Sequence, residues 1–208
     1  MTGLIEALLI VLALPRLVGA LVQVPYEPLI APVATVGAQP GSARRADDID
    51  LEIAGRLQAL EWIDDGRVWR ALGAAQLKKA AAAISGKARR GLLASAKASL
   101  TESLKRAPAN PFAWSRLAYV EFVSKGEPAA LERALTMSMA TGALEQRLVF
   151  SRLGIALMVW ADLTPPMRRR MAADIRTAAR IDADRLNAII RRTGGADIVR
   201  RLLKVAGS

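Results

Sequence analysis

Cysteine and histidine are both absent from the 208 residues. Without cysteine there is no disulfide, no thiolate nucleophile and no sulfur-ligated metal. Without histidine the usual general base and commonest metal ligand near neutral pH is missing. Carboxylates and lysine remain as catalytic candidates. The acidic pairs Asp47/Asp48 and Asp64/Asp65 fall at expected helix ends, where capping and solvation account for them. No phosphate-cradling glycine–lysine loop, dinucleotide-binding glycine fingerprint or nucleophile elbow occurs. The expectation is a non-catalytic chain with no cofactor and no metal. Aromatic residues are scarce at 4%, and no alternating strand pattern with turn punctuation is found. Alanine, leucine and arginine dominate instead, a mixture that favours helices, so the expected fold class is all-α.

What the chain does have is apolar bulk and positive charge. Hydrophobic residues make up 52% of it, which excludes general disorder. Thirty Lys and Arg against 19 Asp and Glu give a net charge of +11. The basic clusters Lys78/Lys79, Arg89/Arg90, Arg168 to Arg170, Arg191/Arg192 and Arg200/Arg201 lie on separate elements. No helix-turn-helix core or interleaved aromatic–basic motif organises them. A solvated arginine-rich surface is the first reading, attraction to a membrane surface the second, and nucleic acid the third.

Three regions follow from the pattern. Residues 1–22 hold a nearly all-apolar stretch, Leu4 to Val22, broken by Glu6, Pro15 and Arg16. Ala7 to Leu14 has the length of a signal-peptide core, with Val18-Gly19-Ala20 as a small-residue cleavage site. As one uncleaved segment of 19 residues, Leu4 to Val22 barely reaches across a bilayer. A buried first helix is the remaining alternative. Residues 23–46 form a linker, with Pro25, Pro28, Pro32 and Pro40 favouring an extended tether. Residues 47–208 read as one helical domain. Asp47 or Asp48 caps a helix through Leu51 to Trp62; Arg67 to Ile84 forms the next; Ser85-Gly86-Lys87 breaks the chain; a helix around Leu92 to Arg106 follows.

The best-defined stretch is Pro108 to Gly142. Asn110-Pro111 is a helix start, since asparagine caps orphan N–H groups and proline fits the first helical position. Lys125-Gly126-Glu127-Pro128 ends that helix and opens a second, carrying Ala130, Leu131, Ala134 and Leu135 and closed by Gly142. Beyond it, Leu144 to Leu163 is apolar, but Arg152 and Asp162 bound a core too short to cross a membrane. Thr164-Pro165-Pro166 then starts Met167 to Ile181. Two short helices, Arg185 to Arg192 and Ile198 to Val205, are expected to cap the apolar end of the stack.

A large–x–x–Leu–small pattern recurs at Trp69-x2-Leu72-Gly73, Trp114-x2-Leu117-Ala118 and Phe150-x2-Leu153-Gly154. The chain here resembles tetratricopeptide (TPR) repeats, whose period is ~34 residues. The first-helix W-x2-L-G is complete at Trp69, Ala130 matches the small second-helix position, and an insertion of ~11 residues in the first repeat places Ala96, Leu100 and Pro108 on the second helix and closing proline. The aromatic expected three residues after the small one is replaced by Gln76, Glu121 and Leu157. An irregular helical bundle is the alternative to three degenerate repeats.

The run from Ala107 to Ile181 is also similar to small TPR-like proteins associated with bacterial extracellular-polysaccharide biosynthesis. That resemblance implies a scaffold or adaptor of the cell envelope, inner-membrane associated or periplasmic, whose partner is a protein. The alternatives are a TPR adaptor of an unrelated membrane complex and a basic nucleic-acid-binding protein. Carried onto this chain, the repeat groove is lined by Arg67, Arg70, Ala74 and Lys78, by Phe112, Ser115, Tyr119 and Phe122, and by Leu148, Ser151, Ile155 and Met158. The groove residues expected to bind an acidic peptide segment are Arg67, Arg70, Lys78, Phe112, Ser115 and Tyr119.

Overall fold

The computed structural model describes residues 46–143 and 145–205. The apolar stretch Leu4 to Val22 and the linker Val24 to Ser42 lie outside the described residues. Among the described residues the secondary structure is entirely helical. The helices are α1 (Ala46–Trp62), α2 (Gly66–Ala82), α3 (Gly86–Arg106), α4 (Pro111–Val123), α5 (Pro128–Thr141), α6 (Gln146–Met158), α7 (Pro165–Ile181), α8 (Ala183–Thr193) and α9 (Ala196–Val205), with a 3-10 turn at Trp160–Asp162. None of them is long and apolar enough to cross a membrane. The described chain divides into two compact units, residues 46–108 and 109–205.

The caps are legible residue by residue. The Asp65 side chain accepts from the Arg67 N–H at 2.7 Å, and Asn110 accepts from Phe112 and Ala113 at 3.1 and 3.2 Å. Thr164 and Asp182 cap α7 and α8 in the same way. Each satisfies N–H groups that a helix start leaves without a carbonyl. Two expectations are corrected. Asp47 and Asp48 lie inside the first turn of α1 rather than at its cap, and α3 begins at Gly86, so Gly86 and Lys87 are helical and only the short passage around Ser85 breaks the chain. The α4–α5 turn differs in detail as well. Lys125, not Gly126, takes the left-handed conformation (φ 51°), and the Gly126 N–H donates to the Glu121 carbonyl at 2.8 Å. That is a Schellman closure with lysine at the position glycine usually holds.

In the N-terminal unit α2 and α3 pair as a hairpin, and α1 packs on α2. The hairpin is close along its length. A methyl group added at Gly73 meets Leu100 Cγ at 2.8 Å, and one at Gly66 meets the Ser103 carbonyl at 3.0 Å. Helix α1 is fastened by Lys78–Glu52, at 3.1 Å, and by Lys79–Asp50. Glu52 and Arg56 are buried. In the C-terminal unit α4 pairs with α5 and α6 with α7; α4 also touches α6, while α8 packs against α6 and α7, and α9 against α7 and α8. One apolar cluster joins them, built around Ala118, Leu135, Leu153, Ile155, Met167, Met171 and Ile175. Leu186, Ile189 and Val199 of α8 and α9 belong to it, so these helices cover apolar surface.

The repeated pattern occupies corresponding places. Each copy sits on the first helix of a pair: α2, α4 or α6. Ala118 and Leu153 are fully buried and Leu72 nearly so, whereas Trp114 and Leu117 are half-buried against the cluster. The extra length of the first copy lies in its helices, since α2 has 17 residues to the 13 of α4 and α3 has 21 to the 14 of α5. No inserted loop is present between them. The position three residues after the small one is buried in all three copies, at 9% exposure for Gln76 and 4% each for Glu121 and Leu157.

Candidate functional site

Two buried serines make the same clasp in the first two hairpins. Ser103 Oγ, near the end of α3, donates to the Gly66 carbonyl at 2.7 Å; Ser138 Oγ, near the end of α5, donates to the Pro111 carbonyl at 3.1 Å. Gly66 and Pro111 each precede the motif tryptophan by three residues. The two hairpins are therefore closed by one hydrogen bond at equivalent positions. A second polar contact occupies the first hairpin, where Ser99 Oγ donates to Gln76 Oε1 at 2.9 Å. It satisfies the glutamine at a site where an aromatic was expected, as a buried amide requires.

The groove positions in the N-terminal unit divide sharply. Arg67 is exposed but folded back on Asp65, with Nη2 at 2.8 Å from Oδ2. That pair lowers the Asp65 carboxyl below its ordinary value and raises the Arg67 guanidinium. Lys78 is committed to Glu52 and fastens α1. Ala74 is buried, so its expected place on an open surface is corrected. Arg70 is half-buried, and its Nε has no hydrogen-bond partner. Burial pushes its guanidinium below the usual arginine value, and the neighbouring Arg67 charge adds to that. A cation so placed gains from an approaching carboxylate.

At the base of this hairpin lies a charged cluster around Asp64, a residue expected only to cap a helix or carry solvated charge. Arg106 holds Asp64 through Nη2–Oδ2 at 2.8 Å and Glu102 through Nη1–Oε2 at 2.7 Å, and lies 5.3 Å above the Trp69 ring. The Trp69 indole N–H donates to Asp64 at 2.9 Å. The Glu102–Arg106 pair is an i,i+4 spacing the sequence does show, but Asp64 and Arg106 are 42 residues apart and meet only when α3 folds back on α2.

In the C-terminal unit Phe112 and Tyr119 are half-buried, and Tyr119 packs on the apolar cluster. Ser115 is buried at 5% exposure. Its assignment to the groove surface is corrected, because on α4 it falls on the side turned to the unit's interior. Leu148 and Ile155 are likewise buried in the core, Ser151 and Phe122 are half-buried, and Met158 is exposed. Phe122 and the buried Glu121 line a cavity of about 270 Å³ with Lys125, Leu131, Asp162 and Leu163. The carboxylate of Glu121 covers Gly126, where an added methyl would meet Oε2 at 2.3 Å.

The most deeply placed charge pair of this unit is Arg152–Asp174. Arg152 is fully buried; its Nε donates to Asp174 Oδ2 at 2.9 Å and its Nη1 to the Ser138 and Gly142 carbonyls at 3.3 and 3.1 Å. Burial pushes the Asp174 carboxyl up, against the opposing pull of Arg152. This pair joins the end of α5 to α6 and α7. No protein-family model, curated protein or solved structure matches the chain.

Proposed function

We propose that this chain is a non-catalytic, TPR-like scaffold of the bacterial cell envelope, accessory to extracellular-polysaccharide biosynthesis or export. It holds a partner protein by an acidic segment laid against the motif-bearing helix α2. The reading is supported chiefly by the serine clasp, which closes the first two hairpins at positions equally spaced from the motif tryptophans. Hairpins closed in the same way at matching positions are what a helical-repeat sequence is built from. Arg70 is the residue that engages a partner carboxylate. It is the one groove cation without an ion-pair partner among the described residues, whereas Arg67 and Lys78 are held by Asp65 and Glu52.

The test is affinity capture from detergent-solubilised cells with the full chain and with Arg70→Gln. The wild type is expected to retain an envelope protein of the polysaccharide machinery, and Arg70→Gln to lose it with helicity and melting temperature unchanged. Equal capture by both forms sinks the assignment of Arg70. Capture of a membrane complex outside polysaccharide assembly leaves an adaptor but refutes the pathway.

A further inference from the structure

We infer that the outer face of α7 docks on a membrane surface rich in anionic lipid. Arg169, Arg176 and Arg180 are separated by seven and four residues, which at 100° per residue places them within about 20° of one line. The line runs about 16 Å along the helix at 1.5 Å per residue. All three are exposed, as is Arg170 beside them. The opposite face carries Met167, Met171, Asp174, Ile175 and Ala178, all buried. Arginines and core therefore occupy opposite sides of one helix.

The row has no counter-charge. The sole carboxylate of α7 is Asp174, which is turned inward and held by Arg152. Arg169, Arg170, Arg176 and Arg180 make no ion pair or side-chain hydrogen bond with any described residue. Arg67, Lys79, Arg106 and Arg200, by contrast, are each folded onto a carboxylate. Three unneutralised cations in one row, with Arg170 at its flank, have a large common attraction for an extended anionic surface.

The composition of the face narrows the choice of surface. A peptide interface is anchored by buried aromatic or aliphatic side chains, and between these arginines lies only Ala173 as an exposed residue. Single-stranded nucleic acid is held by aromatic stacking platforms, and the row has none. A plane of lipid headgroups demands neither, since each arginine near an anionic bilayer contributes independently. Arginine also contacts duplex phosphates, so the charge of the row alone admits a duplex, and the apolar stretch Leu4 to Val22, whose composition suits a bilayer, decides for lipid. This inference stands apart from the adaptor reading and does not use Arg70.

Partitioning of the full chain is to be measured on vesicles of phosphatidylcholine alone and of phosphatidylcholine mixed with phosphatidylglycerol, at physiological ionic strength. The wild type is expected to prefer the anionic vesicles. Neutralising three arginines in R169Q/R176Q/R180Q should lower that partitioning roughly 100-fold, leaving binding to neutral vesicles and the circular dichroism spectrum unchanged. Any contribution of the apolar N-terminal stretch is common to both proteins and cancels in the comparison. Equal partitioning of the two proteins on anionic vesicles overturns the proposal, as does a wild type that ignores the phosphatidylglycerol. Retention on duplex DNA that depends on these arginines, without a change on vesicles, also overturns it and assigns the face to nucleic acid.

Discussion

Gly73 and Gly154 stand at the same motif position yet answer to different constraints. An added methyl at Gly73 runs into Leu100 at 2.8 Å, while at Gly154 nothing lies within 4 Å. Gly73→Ala should therefore lower stability by forcing α2 and α3 apart. Gly154→Ala should raise it by about 0.5–1 kcal/mol, the gain in helix propensity over glycine. Urea midpoints of the two variants check both signs together. Arg152 has a larger effect. Arg152→Ala leaves the Asp174 charge uncompensated in a buried site, a loss of about 3–5 kcal/mol. A replacement that melts within a degree or two of wild type would show that water reaches the pair.

At the scale of the element, the α2–α3 hairpin responds to acid through its ion pairs. The Asp64 carboxyl lies below the ordinary 3.8 because Arg106, and then Trp69, donates to it. Glu102 is lowered by Lys105 and then by Arg106. A depressed carboxyl adds stability that is complete above its unfolded value and lost as pH falls through the folded one. The hairpin should therefore weaken as pH drops below about 4, and Asp64→Asn should flatten that dependence. Asp174 has the opposite sign. Its raised value means that ionisation opposes folding above the ordinary carboxylate range, and protonation relieves it. Denaturant midpoints across this pH range, for wild type and Asp64→Asn, separate the two. The α4–α5 turn is a further element with a residue out of type. Lys125 holds a left-handed backbone at φ 51°, which costs an L-residue about 1 kcal/mol relative to glycine. Lys125→Gly should recover part of that, whereas Gly126→Ala should lose stability against the Glu121 carboxylate.

The molecule as a whole comprises two described units, and the apolar cluster of the second is drawn from residues between Trp114 and Leu202. A core contained within one stretch of chain should fold without the rest. The fragment 109–208 is expected to be helical, monomolecular in its unfolding and cooperative. A fragment whose ellipticity declines gradually with urea, with no sigmoidal transition, refutes the autonomy of that core.

Local chemistry determined the helices from the sequence alone. Asn110-Pro111, Thr164-Pro165 and Gly194 mark boundaries because capping oxygens, proline φ and the left-handed glycine at φ 68° act within a few residues. The all-α composition and the motif-bearing first helices were legible for the same reason. Which side of a helix is buried was less so. Ser115 and Ile155 were placed on an open groove by analogy of register, but helices packed against α4 and α6 decide their burial. Gln76 and Glu121 read as departures from the repeat pattern, and the fold shows them buried at the very position the pattern reserves for an aromatic. The pairings Arg152–Asp174, Arg106–Asp64 and Ser103–Gly66 join residues 22, 42 and 37 apart. No period or cap encodes such partners, because they meet only when separate helices pack, and there tertiary structure alone decides.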